Sequence, residues 1–308
     1  MKTIIIVLLS IKAAYLIEKN STNHINLISN GDQYDPKEFP YVVTIKLYIE
    51  VEKISYLTCT GSLVRKTFVL TAAHCVFKRS LSLIEVYAGP AYDNYNYHRV
   101  KKGYMNKGYN PNNTHIVSDI ALLKLKTPFP QVKKYIEIGG HPDEFANDKA
   151  VDCTCIGFGR INEEGDMGVE GRRMDTKVKH GETACKGNPE RGWREYLCSA
   201  TGTRTMTCTG DSGGPMICNG KLYGITSFYK NFTQGKMSCG GDNMQTVHVF
   251  LHYHLKWINN ILNRKEGSED DKKKKKKKKK KNSGNSVKPH LTMYTILSIL
   301  SILFCKVY

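Results

Sequence analysis

Three short stretches hold residue types suited to nucleophilic catalysis. Thr71-Ala-Ala-His74-Cys75 places an imidazole at the end of an apolar run. Ser118-Asp119-Ile-Ala-Leu-Leu places a carboxylate just ahead of another. Gly210-Asp211-Ser212-Gly213-Gly214-Pro215 places a hydroxyl in a turn whose neighbours lack side chains. A serine hydroxyl attacks poorly unless a base takes its proton, and neutral His is the side chain suited to that near pH 7. The base must be kept in one tautomer, which a buried carboxylate bonded to its other nitrogen achieves. Glycines let the chain turn sharply and bring backbone N–H groups toward a substrate carbonyl. The amides of Gly210 and Ser212 would then receive its developing charge. Each signal alone has a bland reading: a satisfied core histidine, a strand cap and a plain turn. Their joint occurrence, in this order and with these neighbours, favours the catalytic one.

These residues need a scaffold that joins distant parts of the chain. From Ile28 to about Lys265 there is no long linker, internal repeat or sustained helical period. Short β-rich runs, broken by Gly, Asn and Pro, begin at Tyr41, Phe68, Ile84, Ile120 and Leu222, which predicts an all-β sandwich or barrel. One helix is predicted near the end. Between His254 and Leu262 the apolar residues Leu255, Ile258, Ile261 and Leu262 share a face, with Trp257 beside them.

The ends differ from this body. Lys2, the apolar run Ile4–Ile11 and the small pair Ala13-Ala14 read as a signal peptide over residues 1–14, too short to span a bilayer. Ten cysteines without a C-x-x-C pair fit disulfides of an exported protein better than metal ligation, and Cys153-x-Cys155 alone is a poor zinc clamp. The net charge is +18, and +8 of it lies in Glu266–Tyr308, with twelve Lys against four acids. Lys272 to Lys281 is unbroken lysine, a run that repels itself and stays solvated. It reads first as a low-complexity tail, and second as a weak binder of polyanions such as glycans, nucleic acid or lipid headgroups.

The motifs Thr71–Cys75, Asp119-Ile-Ala-Leu-Leu and Gly210–Pro215 resemble the signatures of the trypsin/chymotrypsin serine peptidase family. The likeness covers Ile28 to about Leu262. It implies an all-β chain of two packed six-stranded antiparallel barrels with a C-terminal helix and a catalytic cleft between the barrels. It also implies a His74–Asp119–Ser212 triad and an oxyanion hole at Gly210 and Ser212. Four disulfides follow from the resemblance: Cys59–Cys75, Cys153–Cys218, Cys185–Cys198 and Cys208–Cys239. Cys155 and Cys305 are left over. Cys155 is either a buried free thiol, the preferred reading, or the true partner of Cys218.

By the same resemblance, Met206 floors the pocket for the side chain preceding the cut, where trypsin-like enzymes carry an acid. Thr207 lies beside it, Ser227-Phe228-Tyr229 forms one wall and Thr246 faces it, with side chains at two positions where glycine is common. A shallow apolar pocket of elastase or chymotrypsin type follows, preferring Ala, Val or Leu, and trypsin-like cleavage is not expected. The alternative is that Met206 and Tyr229 fill the pocket, leaving a catalytically silent homologue that acts as a binding module. Ile28-Ser-Asn-Gly31 resembles the new terminus that pairs with Asp211 on activation, making residues 15–27 a propeptide. Leu27 stands where the family usually has a basic residue, so a protease preferring apolar residues would have to make that cut. Ala88 to His98 lacks the paired acids with which some relatives hold calcium, so neither metal nor cofactor is expected.

The expected organisation is thus signal peptide (1–14), propeptide (15–27), peptidase domain (28–265), Lys-rich tail (266–290) and apolar end (291–308). Leu291 to Cys305 is shorter than a comfortable span. It ranks first as an unstructured or processed tail, second as a GPI-attachment signal and third as a spanning helix. Sequons occur at Asn20, Asn112 and Asn231. The loop after Phe228 looks seven residues longer than in trypsins. The expected protein is a secreted, extracellular monomer acting on protein or peptide substrates, or alternatively one held at the cell surface by a GPI anchor.

Overall fold

The computed structural model describes residues 28, 31–50, 52, 55–91, 96–112, 116–160, 170–185, 192–201, 206–232, 239 and 243–264. The signal and propeptide segments, the Asn20 sequon, the lysine run, the apolar end and Cys305 lie outside them. Contacts divide the chain into Met1–Leu262 and Asn263–Tyr308, and the fold described below belongs to the first unit.

Strands β2 (Val42–Tyr48), β3 (Tyr56–Arg65), β4 (Phe68–Thr71), β5 (Ile84–Ala88), β6 (Tyr97–Met105) and β7 (Ala121–Leu125) form a closed barrel in the order β2-β3-β4-β7-β6-β5. A second antiparallel sheet holds β8 (Val151–Gly157), β9 (Arg172–His180), β10 (Tyr196–Ser199), β11 (Pro215–Cys218), β12 (Lys221–Asn231) and β13 (Met244–Phe250). Its order is β9-β10-β13-β12-β11-β8, and the pairing of β8 with β9 closes it. The short β1 (Asp32–Gln33) adds to β9. Closure removes the exposed strand edges that an open sheet would present.

The runs legible in the sequence become β2, β4, β5, β7 and β12, with boundaries shifted by up to three residues. Strands β6 and β9 were not legible, because in β9 only Met174 and Val178 are buried among charged neighbours. Asn219 and Gly220 join β11 to β12 with φ of 51° and 72°, the left-handed pair that a tight hairpin turn demands.

The predicted helix is a 3₁₀ turn (Leu251–His254) running into α2 (Leu255–Leu262). Ile258 and Ile261 are its buried residues, and each such side chain contributes about 1.5–3 kcal/mol by leaving water. They join one cluster with Leu70 and Leu122 of the first barrel and Ile225 and Val249 of the second. The two barrels and the C-terminal helix therefore rest on shared core. Among the described residues, no helix is long and apolar enough to cross a membrane.

Among the described residues four disulfides are present: Cys59–Cys75, Cys153–Cys218, Cys185–Cys198 and Cys208–Cys239. Each typically contributes about 2–4 kcal/mol. Cys153 lies directly opposite Cys218 in the β8–β11 register, whereas Cys155 lies opposite Met216 and is a buried free thiol.

Candidate active site

β4 carries the chain into the barrel core, where Ala72 and Ala73 are fully buried. The short helix α1 (Ala73–Val76) starts there and presents His74 in its first turn. Asp119 stands just ahead of β7 with no solvent exposure. Because β7 pairs with β4 in register, the two motifs meet. The His74 backbone N–H donates to Asp119 Oδ1 at 2.8 Å, and the ring Nδ1–H donates to Oδ2, also at 2.8 Å. That pairing leaves Nε2 as the acceptor. Ser227 Oγ donates to the same Oδ2 at 2.5 Å. Burial alone would raise the Asp119 pKa, but the bonds from His74 and Ser227 outweigh it and hold the carboxyl below its usual range. Asp119 is thus held as a carboxylate.

The serine turn docks on the same barrel. Thr60 N–H donates to the Ser212 carbonyl at 2.9 Å, and Thr60 Oγ1 donates to the Gly210 carbonyl at 3.0 Å. Gly213 has φ +80°, and a Cβ there would fall 2.0 Å from Thr71 Oγ1 and 2.5 Å from the Thr60 carbonyl. No side chain fits, and this close approach brings Ser212 up to the strand that leads to His74. The Ser212 carbonyl lies 3.7 Å from Cys75 Sγ, which lies 3.7 Å from His74 Nε2. Gly210 has φ +103° and is buried, while Ser212 and His74 stay partly exposed. Cys59, His74 and Cys75 also lie close together, but both sulfurs are spent in a disulfide, so this donor set does not fit a metal.

Behind the serine, Asp211 is 1% exposed and, among the described residues, accepts the N–H groups of Gly159 and Cys208, at 2.8 and 2.7 Å. Burial pushes its pKa up to about 7 against the pull of these amides. Among the described residues, a carboxylate there meets amides and no cation. Ile28 is 2% exposed and packs in one cluster with Phe145, Met174 and Cys155, and the Asp211 charge in turn contributes to raising the Cys155 thiol pKa, second to burial. Ile28 has φ +38°, a strained value for a β-branched residue.

Met206 is 2% exposed, and beside it Thr207 Oγ1 donates to Thr246 Oγ1 at 3.1 Å. Tyr229 lies directly opposite Thr246 in the β12–β13 register. Phe228 is half-buried and meets the Tyr196 ring edge-on at 5.6 Å. Ser227, expected only as pocket wall, also bonds Asp119. Sequence reasoning missed Glu195 and Tyr196. Nothing in their spacing marks them, since they act on residues about eighty positions away.

The sequence profile described as Trypsin matches residues 28–258. The chain belongs to the trypsin family. Chymase of Mus musculus is 28% identical over 275 residues, covering 83% of this chain and 98% of that protein. Chymotrypsin-like elastase family member 1 of Macaca fascicularis is 30% identical over 222 residues, covering 67% of this chain and 79% of its own. Among solved structures, the mouse-brain serine protease neuropsin superposes with a TM-score of 0.59 at 23% identity, over 76% of this chain and 99% of its own, which speaks for the two-barrel fold. As a trypsin-family member the chain is a serine endopeptidase.

Proposed function

We propose that this endopeptidase is secreted and works through an acyl-enzyme formed on Ser212, with aliphatic preference before the cut. The observation that carries this reading is the doubly hydrogen-bonded His74–Asp119 pair beside a serine turn docked on the same strands. His74 Nε2 takes the Ser212 proton as Oγ attacks the scissile carbonyl, then returns it to the leaving amine. Asp119 holds the tautomer and stabilises the imidazolium. The N–H groups of Gly210 and Ser212 receive the oxyanion, each such donor being worth about 100- to 1000-fold in rate. Water then hydrolyses the ester by the same relay.

The pocket reading rests on the apolar floor at Met206 and on Thr207, Thr246 and Tyr229, which leave no carboxylate to meet Lys or Arg. In a peptide-library digest by the chain starting at Ile28, cleavage is expected after Ala, Val or Leu. Met206→Asp is expected to shift the preference toward Lys and Arg. Cleavage by the wild-type chain after basic residues would contradict this assignment. The rival is a silent binding module whose pocket is filled by Met206 and Tyr229, and it predicts no cleavage of any library member.

Activation by a cut before Ile28 is supported by Asp211, which meets only amide donors among the described residues, and by the strained, buried Ile28. The freed ammonium would pair with Asp211, and buried charges are tolerable only as such pairs. The folded-state pKa of Asp211 lies above its ordinary value, so in the uncut chain the unfolded state releases that proton first. Stability therefore falls as pH rises from about 4 through 7. Thermal melts are expected to show this fall in the uncut chain, and to show it abolished both by the cut and by Asp211→Asn. Equal pH dependence in all three would count against the pairing.

Export with loss of residues 1–14, a propeptide at 15–27, weak polyanion binding by Lys272–Lys281, attachment through residues 291–308 and a monomeric state complete the proposal. Salt-sensitive heparin binding that survives deletion of Lys272–Lys281 would remove the lysine run from it.

A further inference from the structure

Asp119 is held directly by His74 and Ser227, but the residue before it is held from the second barrel. Ser118 has φ +52°, in the left-handed region that a serine rarely adopts. Its backbone N–H donates to Glu195 Oε2 at 2.8 Å, and its Oγ donates to the same oxygen at 3.2 Å. Glu195 ends the 3₁₀ turn Trp193–Glu195 that leads into β10. The next residue, Tyr196, donates its hydroxyl to the Ile116 carbonyl and packs edge-on against Phe228. On the other side, His254 Nε2 lies 3.4 Å from Glu195 Oε2 with the imidazole buried. One carboxylate oxygen therefore ties together the approach to β7, the start of β10 and the turn before α2.

Burial would raise the Glu195 pKa, but the nearby His254 imidazole and the two bonds from Ser118 outweigh it and hold it below its usual range. An ionised acceptor makes stronger hydrogen bonds than a neutral one. A left-handed non-glycine residue persists only where its surroundings over-determine it, and the two bonds from Ser118 do that.

We propose that Glu195 is a positioning residue, clamping Ser118 in its left-handed conformation and so aiming the Asp119 carboxylate at His74 from across the two barrels. The proposal rests on the triad reading above, and Glu195 acts on the site through Ser118. The acceptor matters more than the charge, because it is the Ser118 N–H and hydroxyl that must be satisfied.

The test compares wild type with Glu195→Ala, Glu195→Gln and the double variant Glu195→Ala/Ser118→Gly, below the melting temperature of each. Two readouts are taken: kcat against KM, and the downfield proton resonance of the His74 Nδ1–H bonded to Asp119. In Glu195→Ala, kcat is expected to fall about 10- to 100-fold, the range set by sub-ångström to ångström misplacement, with KM little changed and the resonance broadened or lost. Glu195→Gln keeps an acceptor and is expected to retain both. Glycine reaches φ +52° without strain, so Ser118→Gly is expected to recover part of both in the Ala background. Unchanged kcat and resonance in Glu195→Ala would overturn the clamp, as would a Gln variant as impaired as the Ala one. A resonance that responds in a chain without Ser212-dependent turnover would support the clamp while contradicting the proposed activity.

Discussion

Ser212→Ala is expected to lower kcat by about 10⁶-fold, leaving only the residual catalysis that oxyanion donors and substrate binding supply. The loss is that large because His74 has nothing to deprotonate once the hydroxyl is gone, so members of the set do not contribute independently. The change is structurally mild. Ser212 is tied to the first barrel through its backbone carbonyl, which accepts from Thr60, and that bond survives the substitution. Hydrolysis of an Ala- or Leu-type peptide ester should disappear while the melting temperature moves little. Turnover that persists in Ser212→Ala would assign the chemistry to another residue.

Asp119→Asn is expected to cost about 10⁴-fold in kcat with KM nearly unchanged. The geometry gives the reason. Asp119 accepts three donors, namely the His74 backbone N–H, the His74 ring Nδ1–H and the Ser227 hydroxyl. An amide offers one acceptor oxygen and places N–H groups where the other accepted. If its NH₂ faces the ring, His74 must turn acceptor at Nδ1 and carry its proton on Nε2, the nitrogen that has to receive the serine proton. The tautomer is then wrong although the atoms have hardly moved. Steady-state kinetics on a peptide ester checks this, and a loss below about ten-fold would mean that Asp119 does not set the tautomer.

The three motifs around His74, Asp119 and Ser212 were legible because they are local. His74 follows an apolar strand within five residues, and Ser212 carries its glycines beside it. Gly213 shows why those neighbours are needed, since a Cβ would collide with Thr71 and the Thr60 backbone. Strand identity was legible where both faces are buried, as in β2, whose seven residues are all buried. It was lost in β6 and β9, where one face meets solvent and lysines or arginines take its positions. Contacts made by tertiary closure left no local mark. Ser227 reaches Asp119 across 108 residues, and Glu195 reaches Ser118 across 77. Cys155 shows the intermediate case, because alternation put it on the face of Cys153, but only the register, with Met216 opposite, separates the free thiol from the bonded one.

The most direct measurement is fluorophosphonate labelling of the purified chain beginning at Ile28, with the adduct located by peptide mass mapping. The account predicts a single adduct, on Ser212, that is lost in His74→Ala and strongly slowed in Asp119→Asn. A folded chain that takes no label, or takes it equally well without His74, would contradict it.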